Sequence, residues 1–123
     1  MARILIVDDE VGLADLIKTI LEDEGHALEA VYTGQAALDL IATQEYELVI
    51  CDLRMPDVDG LAICHAIEQR ALRQPAVLLM TGHAEGFGHA ADFLRIARLG
   101  VVSKPIGIQE LRDRVRELLE PRR

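Results

Sequence analysis

The chain has 123 residues, half of them hydrophobic, and a net charge of -8 from 13 basic and 21 acidic side chains. This length suits one domain with its own core, which we expect to span residues 1–123, and the composition excludes a disordered chain. No apolar run reaches the roughly 18 residues of a membrane span. The negative charge disfavours direct contact with nucleic acid and favours a cation or a protein surface as the partner.

Short apolar runs alternate with helical patterns along the whole chain. The predicted strands are Ile4–Val7, Leu28–Tyr32, Leu48–Cys51, Val77–Met80 and Leu99–Ser103. Continuous apolar runs of this length are typical of strands that are buried on both faces of a parallel sheet. Cys51 and Cys64 have no metal-ligand spacing, so we interpret them as small core residues of a cytoplasmic protein in a reducing compartment.

Five helices are predicted from apolar residues that recur on one helical face. The first carries Leu13, Leu16, Ile17, Ile20 and Leu21 and stops before Gly25. The second carries Ala37, Leu38 and Ile41 after Thr33-Gly34, and the third carries Leu61, Ile63, Cys64, Ile67 and Leu72 after Asp59-Gly60. The fourth carries Phe87, Ala90, Leu94 and Ala97, and the fifth carries Ile108, Leu111, Val115, Leu118 and Leu119. Strands and helices in alternation imply right-handed crossovers and a parallel sheet covered on both faces. The predicted fold class is therefore α/β, a (βα)5 sandwich of three layers.

Sites in open parallel sheets form beyond the carboxyl ends of the strands. The residues that follow the predicted strands there are Asp8, Asp9, Asp52, Thr81 and Lys104. Carboxylates about 5 Å apart repel by roughly 3 kcal/mol per pair at an effective dielectric constant near 20, so this edge calls for compensating positive charge. Lys104 and a hard cation such as Mg2+ fit that need. The alternatives are that the acids are merely solvated or cap the first helix, that Thr81 caps a turn, and that Lys104 lies at the surface.

Four segments in order resemble the receiver domain of two-component response regulators. They are Val7-Asp8-Asp9-Glu10, the stretch Cys51-Asp52-Leu53-Arg54-Met55-Pro56-Asp57-Val58-Asp59-Gly60, Met80-Thr81-Gly82-His83 and Ser103-Lys104-Pro105. The resemblance covers essentially the whole chain. It implies a flavodoxin-like sheet with the strand order 2-1-3-4-5.

The resemblance also implies roles for individual residues. Asp52 would accept a phosphoryl group from a sensor histidine kinase or a phosphotransfer protein. Asp9 would bind Mg2+ directly, Asp8 partly through water, and Asp52 and the backbone carbonyl of Arg54 would supply further oxygens. Lys104 would pair with the phosphoryl oxygens and Thr81 would donate its hydroxyl to them, with catalysis resting on positioning and charge neutralisation.

As a receiver, the chain is expected to be a phosphoacceptor signalling domain and not an enzyme, although it assists its own phosphorylation and dephosphorylation. It would switch contacts with a downstream protein as an effector, a relay or a phosphate sink, with no direct nucleic-acid or membrane partner. A dimer through the fourth helix, fifth strand and fifth helix is a further expectation. Only four residues follow the last helix, which predicts a stand-alone receiver with no output domain.

Three alternatives remain open. The chain could be a receiver cut from a larger transcriptional regulator or hybrid kinase, which the coding length would show. It could be a small aspartyl-phosphate phosphatase resembling the haloacid-dehalogenase enzymes, but Arg54 stands where those carry their general acid. It could bind a ligand in the manner of a flavodoxin, but Asp8-Asp9-Glu10 has the wrong charge for a phosphate loop.

Some positions depart from the family pattern or have two interpretations. Val101 stands where the family commonly has tyrosine or phenylalanine, and Gly100 leaves a short connection before Lys104, which makes the bounds of the fourth helix uncertain. His83 could contact the phosphate or be an exposed loop residue, and none of the histidines has zinc-ligand spacing. A cis peptide bond before Pro105 would match the family.

Overall fold

The computed structural model describes residues 2–69, 73–82 and 96–120. Within these ranges the elements follow one another as β1 (Arg3–Val7), α1 (Val11–Glu22), β2 (Ala27–Val31), α2 (Gly34–Thr43), β3 (Leu48–Asp52), α3 (Gly60–Glu68), β4 (Ala76–Thr81), β5 (Leu99–Ser103) and α4 (Ile108–Leu119). The label α4 therefore denotes the C-terminal helix, which the sequence pattern predicts as the fifth.

The five strands form one sheet in the order β2-β1-β3-β4-β5. All four strand pairings are parallel. The central strand β3 is buried at every position, and β4 is buried along its whole length as well. Both the predicted fold class and the strand order are thus confirmed.

Apolar side chains pack into a separate cluster on each face of the sheet. One cluster joins α1 and α4 to the sheet through residues such as Ile17, Leu21 and Leu111. The other joins α2 and α3 to the opposite face through residues such as Ile41 and Ile63. Successive strand residues point to opposite faces, so each buried strand contributes to both clusters. The result is the three-layer arrangement that the sequence predicts.

Local signals set the helix ends near their predicted positions. Helix α1 ends at Glu22, and Gly25 follows with a φ of 85°, a left-handed conformation that suits glycine because it has no Cβ. The carboxylate of Asp59 accepts the backbone N–H of Ala62 at 2.9 Å and caps the start of α3. At the other end of the chain, the Arg98 guanidinium donates to the carbonyl of Leu118 at 3.0 Å, which satisfies a terminal carbonyl of α4.

Several boundaries and faces differ from the predictions. Leu16 shares the predicted apolar face of the first helix but is 51% exposed, and Ile108 at the start of α4 is 52% exposed. Tyr32 lies just beyond β2, not within it. Ala97 belongs to a bend before β5 and not to a helix, because Leu99 already begins the strand. The remaining positions assigned to the fourth helix, and Leu72 of the third, lie outside the described residues.

Among the helices in the described ranges, none combines the length and apolar character needed to cross a bilayer.

Candidate functional site

The register of the sheet brings the predicted site residues to one edge. Val7 pairs with Cys51, so the next residues, Asp8 and Asp52, come side by side at the carboxyl ends of β1 and β3. Thr81 pairs with Ser103 at the ends of β4 and β5, and Lys104 follows directly. The backbone N–H of Lys104 donates to the carbonyl of Thr81 at 2.8 Å, which holds these two ends together.

Three carboxylates form a cluster at this edge. Asp8, Asp9 and Asp52 each offer an oxygen, and these oxygens all lie within 4.8 Å of one another. Asp8 is fully buried and Asp52 is 7% exposed, whereas Asp9 is exposed. Burial keeps water from screening the repulsion between the first two, so the cluster needs positive charge close by.

The ammonium of Lys104 supplies part of that charge. Its Nζ lies 3.0 Å from Asp8 Oδ2 and 3.2 Å from Asp52 Oδ2, and its side chain is largely buried. A third acid, Glu10, places its Oε1 3.3 Å from the same nitrogen while staying mostly exposed. One cation therefore sits among carboxylates that outnumber it.

The pKa values reflect this imbalance. Burial raises the pKa of the Asp8 carboxyl, and the backbone N–H of Glu10 and the Lys104 ammonium offset that effect only in part. Burial acts to lower the pKa of Lys104, but Asp8 and Asp52 outweigh it and raise that pKa to about 12. Lys104 is therefore charged at physiological pH, and ionising Asp8 costs more free energy in the folded protein than in the unfolded chain.

The backbone after β3 is packed tightly against the cluster. The N–H of Arg54 donates to Asp52 Oδ1 at 3.4 Å, a long hydrogen bond that turns the chain beside the carboxylate. A Cβ on Gly60 would lie 2.8 Å from the carbonyl oxygen of Asp52 and 2.9 Å from the Cα of Leu53. Only glycine allows that approach, so the start of α3 fixes the backbone of the strand end.

The donor set fits a hard divalent cation. Carboxylate oxygens are the ligands that Mg2+ takes in proteins, usually one or two of them with waters completing the shell. The buried Asp8 Oδ2 lies close to Lys104 but has no hydrogen-bond partner of good geometry within the described part of the chain. A cation or its bound water beside this oxygen would satisfy it.

The structure thus brings together the predicted carboxylates, Lys104 and Thr81. Thr81 is buried at the end of β4, and the peptide bond between Lys104 and Pro105 is cis, as the resemblance predicts. His83 lies outside the described residues.

Two further residues make contacts that were not predicted. Glu10 contacts Lys104, and its position directly after the two aspartates was a signal that could have revealed it. Asp57 contacts α2 across the fold, and no local pattern announces that contact.

The comparisons with known proteins agree with this geometry. Residues 4–116 match the family model of the response regulator receiver domain, and the chain belongs to this family. It is 33% identical over 119 residues to the response regulator ArlR of Staphylococcus aureus, in an alignment that covers 97% of this chain and 53% of ArlR. The chain thus spans about half the length of the curated relatives it matches.

Solved structures show the same architecture. The receiver domain of the Francisella response regulator 1452 superposes with a TM-score of 0.84 at 26% sequence identity, covering 97% of both chains. The chemotaxis response regulator CheY4 of Vibrio cholerae superposes with a TM-score of 0.85 at 22% identity, covering 97% of this chain and 99% of that one, which supports the fold alone. The chain is a receiver domain of two-component response regulators, a signalling domain.

Proposed function

We propose that Asp52 is the phosphoacceptor of this receiver and that it takes its phosphoryl group from a phosphohistidine of a sensor kinase or phosphotransfer protein. The observation that carries the proposal is the position of Asp52. Its carboxylate lies at the carboxyl end of the central strand β3, within 4.8 Å of the Asp8 and Asp9 oxygens and 3.2 Å from Lys104 Nζ. Negative charge that develops on a transferring phosphoryl group would be neutralised there by Lys104 together with a bound cation.

In the proposed step, an Asp52 oxygen forms a bond to phosphorus as the phosphorus–nitrogen bond of phosphohistidine breaks. The phosphoryl group moves to Asp52 and the imidazole leaves with the electron pair of the broken bond, taking up a proton from solvent. Catalysis of this kind rests mainly on positioning and on neutralising the phosphoryl oxygens. Water attack on the resulting acyl phosphate would return the carboxylate and release inorganic phosphate.

We propose that two positive groups neutralise the negative charge on the phosphoryl oxygens. Mg2+, held by Asp9, Asp52 and the Arg54 carbonyl with Asp8 acting partly through water, would supply Lewis-acid charge beside the phosphoryl oxygens. Lys104 would contribute its ammonium, which already lies between Asp8 and Asp52. Because Lys104 binds both carboxylates before phosphorylation, it must exchange part of these contacts for the new phosphoryl oxygens.

Thr81 is assigned the readout of phosphorylation. Its side chain is buried at the end of β4, and its carbonyl accepts the backbone N–H of Lys104. A hydroxyl that turns toward a phosphoryl group on Asp52 would pull on the segment that follows β4 and change the surface offered to a partner protein. Val101 on β5 is only partly buried, and an aliphatic side chain there cannot provide the aromatic reorientation common in the family.

The proposed partners are defined by the chemistry of phosphoryl transfer. We propose a histidine kinase or phosphotransfer protein as the donor and a downstream protein as the target, with the exchange taking place in the cytoplasm. The free, buried thiols of Cys51 and Cys64 suit that reducing compartment. We further propose a dimer through the fourth predicted helix, β5 and α4, which a measurement of oligomeric state would test.

The assignment of Asp52 is tested by labelling with a small acyl-phosphate donor and Mg2+, read by intact mass. We expect the wild-type chain to gain one phosphoryl group, whereas Asp52→Asn gains none because an amide oxygen is a much weaker nucleophile. Asp39→Asn, which changes an exposed aspartate on α2, is the matched control and should still label. Labelling of Asp52→Asn at the wild-type level would overturn the assignment.

A further inference from the structure

The loop that carries the phosphoacceptor is tied to a helix on the neighbouring connection. Asp57 lies in the segment 53–59 between β3 and α3, and its carboxylate accepts the backbone N–H of Gly34 at 3.1 Å and that of Gln35 at 3.0 Å. Gly34 and Gln35 are the first two residues of α2. Each oxygen of Asp57 thus binds one of the donors that a helix start leaves without an intrahelical partner.

The cap of α2 is shared between a local residue and this distant one. Thr33 Oγ1 accepts the N–H of Ala36 at 3.1 Å, and Asp57 accepts the two N–H groups that come before it. Those two N–H groups hold the pKa of Asp57 below its usual range, with Gln35 the larger influence, so the carboxylate is ionised at neutral pH. A negative charge also suits the positive end of the helix dipole.

The same contact is closely packed. A Cβ on Gly34 would lie 2.5 Å from the Cβ of Val58 and 2.6 Å from its carbonyl oxygen, so the start of α2 rests directly on the loop. The loop can therefore move relative to α2 only if both the hydrogen bonds and this contact break.

The segment 53–59 forms a loop whose ends are held together and whose start is bound to β4. The N–H of Leu53 donates to the Met80 carbonyl at 2.8 Å, and the N–H of Gly60 donates to the Leu53 carbonyl at 2.7 Å. Between these ends lies Arg54, whose N–H reaches Asp52 and whose carbonyl is assigned above to the cation. Asp57 thus ties the loop that carries this carbonyl to the start of α2.

We propose that Asp57 is a positioning residue, which holds the 53–59 loop in its cation-binding shape by anchoring it to the N-terminus of α2. This proposal rests on the proposed function, since it concerns the same Mg2+ site. It adds that cation binding beside Asp52 and the hydrogen bonds of Asp57 to the Gly34 and Gln35 amides are coupled, and that each strengthens the other.

The test compares Asp57→Ala with Thr33→Ala, because both remove caps from α2 but only the first releases the loop. Mg2+ affinity is measured by titration followed with amide resonances, and stability by thermal unfolding. We expect both variants to unfold at lower temperature, and only Asp57→Ala to weaken Mg2+ binding, by about tenfold, the scale seen when residues that orient metal ligands are removed. Equal Mg2+ affinities for Asp57→Ala and wild type, or equal weakening in both variants, would contradict the proposal.

Asp57→Asn separates positioning from charge. Asparagine is neutral but keeps one acceptor oxygen for the helix N–H groups, so positioning predicts that most of the Mg2+ affinity returns. If Asp57→Asn is as weak as Asp57→Ala, a through-space charge effect explains the loss and the positioning role is wrong.

Hydrogen exchange gives a readout that does not depend on phosphorylation. Because coupling is reciprocal, Mg2+ should slow hydrogen exchange of the Gly34 and Gln35 amides in the wild type. At the same Mg2+ concentration, exchange in Asp52→Asn should stay unchanged if that variant no longer binds the cation. Unchanged exchange at both amides in Mg2+-bound wild type would overturn the coupling. If the wild type binds no Mg2+ at all, the proposed function itself fails, which is a different result.

Discussion

The two ends of the sheet both carry charged side chains, but they balance charge in different ways. At the start of β1, Arg3 lies 3.2 Å from Glu29, with the guanidinium carbon 4.9 Å from the centre of the Tyr46 ring and with Arg3 and Glu29 each more than 40% exposed. At the carboxyl ends of the strands, Lys104 lies among buried Asp8 and Asp52. The Arg3–Glu29 pair is exposed to solvent and has one positive charge for one negative charge. The group around Lys104 is buried and has fewer positive than negative charges.

This difference distinguishes a structural ion pair from a binding site. An exposed, matched pair needs nothing further and contributes little to stability. A buried cluster with excess negative charge costs free energy unless a ligand supplies the missing charge, and such destabilised arrangements are typical of functional sites. Removing charge at the two ends should therefore change the free energy of unfolding by different amounts. For Asp8 the change should be a gain in stability, opposite to the loss expected when a normal ion pair is removed.

The larger effect is expected for Asp8→Asn in the absence of Mg2+. Because burial raises the Asp8 pKa, the carboxyl lowers the stability of the fold at pH values above its ordinary pKa, and an amide in its place can still accept the Glu10 N–H. We expect the free energy of unfolding to rise by on the order of 1 kcal/mol, as is common when charge is removed from functional sites.

The sign of its pH dependence follows from the raised pKa. Below the ordinary carboxyl pKa of 3.8, Asp8 is protonated in both states, so the advantage of Asp8→Asn should vanish there and grow as the pH rises through the folded pKa. Chemical denaturation at several pH values measures this stability advantage. Asp39→Asn, at an exposed position of α2, is the control. A loss of stability in Asp8→Asn at pH 7 would show instead that the pair with Lys104 dominates.

The smaller effect is expected for Arg3→Met, which removes the exposed pair while keeping an apolar stem. Solvent screens this pair, so we expect the free energy of unfolding to change by less than about 1 kcal/mol and phosphoryl labelling of Asp52 to stay at the wild-type level. Thermal unfolding and intact-mass labelling are the measurements. A large loss of labelling would mean that the two ends of the sheet are not independent.

The acidic edge could be predicted from the sequence because it depends on which residues directly follow each strand. Asp8, Asp52 and Lys104 each follow an apolar strand, and carboxyl ends of parallel strands converge whatever the details of the helices. In the observed register Val7 pairs with Cys51 and Thr81 with Ser103, so the polar residues at the strand ends come to one edge.

Other features could not be predicted because they depend on distant packing. Asp57 finds its partners 22 and 23 residues away along the chain, and nothing in its own segment signals that contact. Leu16 fits the apolar period of α1 but is half exposed, so periodicity overestimates the buried face. Ala97 has good helix propensity, yet it lies in a bend just before β5 begins at Leu99.

The central claim is that the carboxyl edge is short of positive charge because it is built to hold a divalent cation. Thermal unfolding of wild type and Asp9→Ala, each with MgCl2 and with NaCl at equal ionic strength, tests it most directly. Binding to the folded state alone stabilises by about 2.7 kcal/mol when Mg2+ is at a hundred times its dissociation constant. We predict a Mg2+-specific rise in unfolding temperature for wild type and none for Asp9→Ala, whereas an equal rise in both proteins, or none in wild type, would contradict the claim.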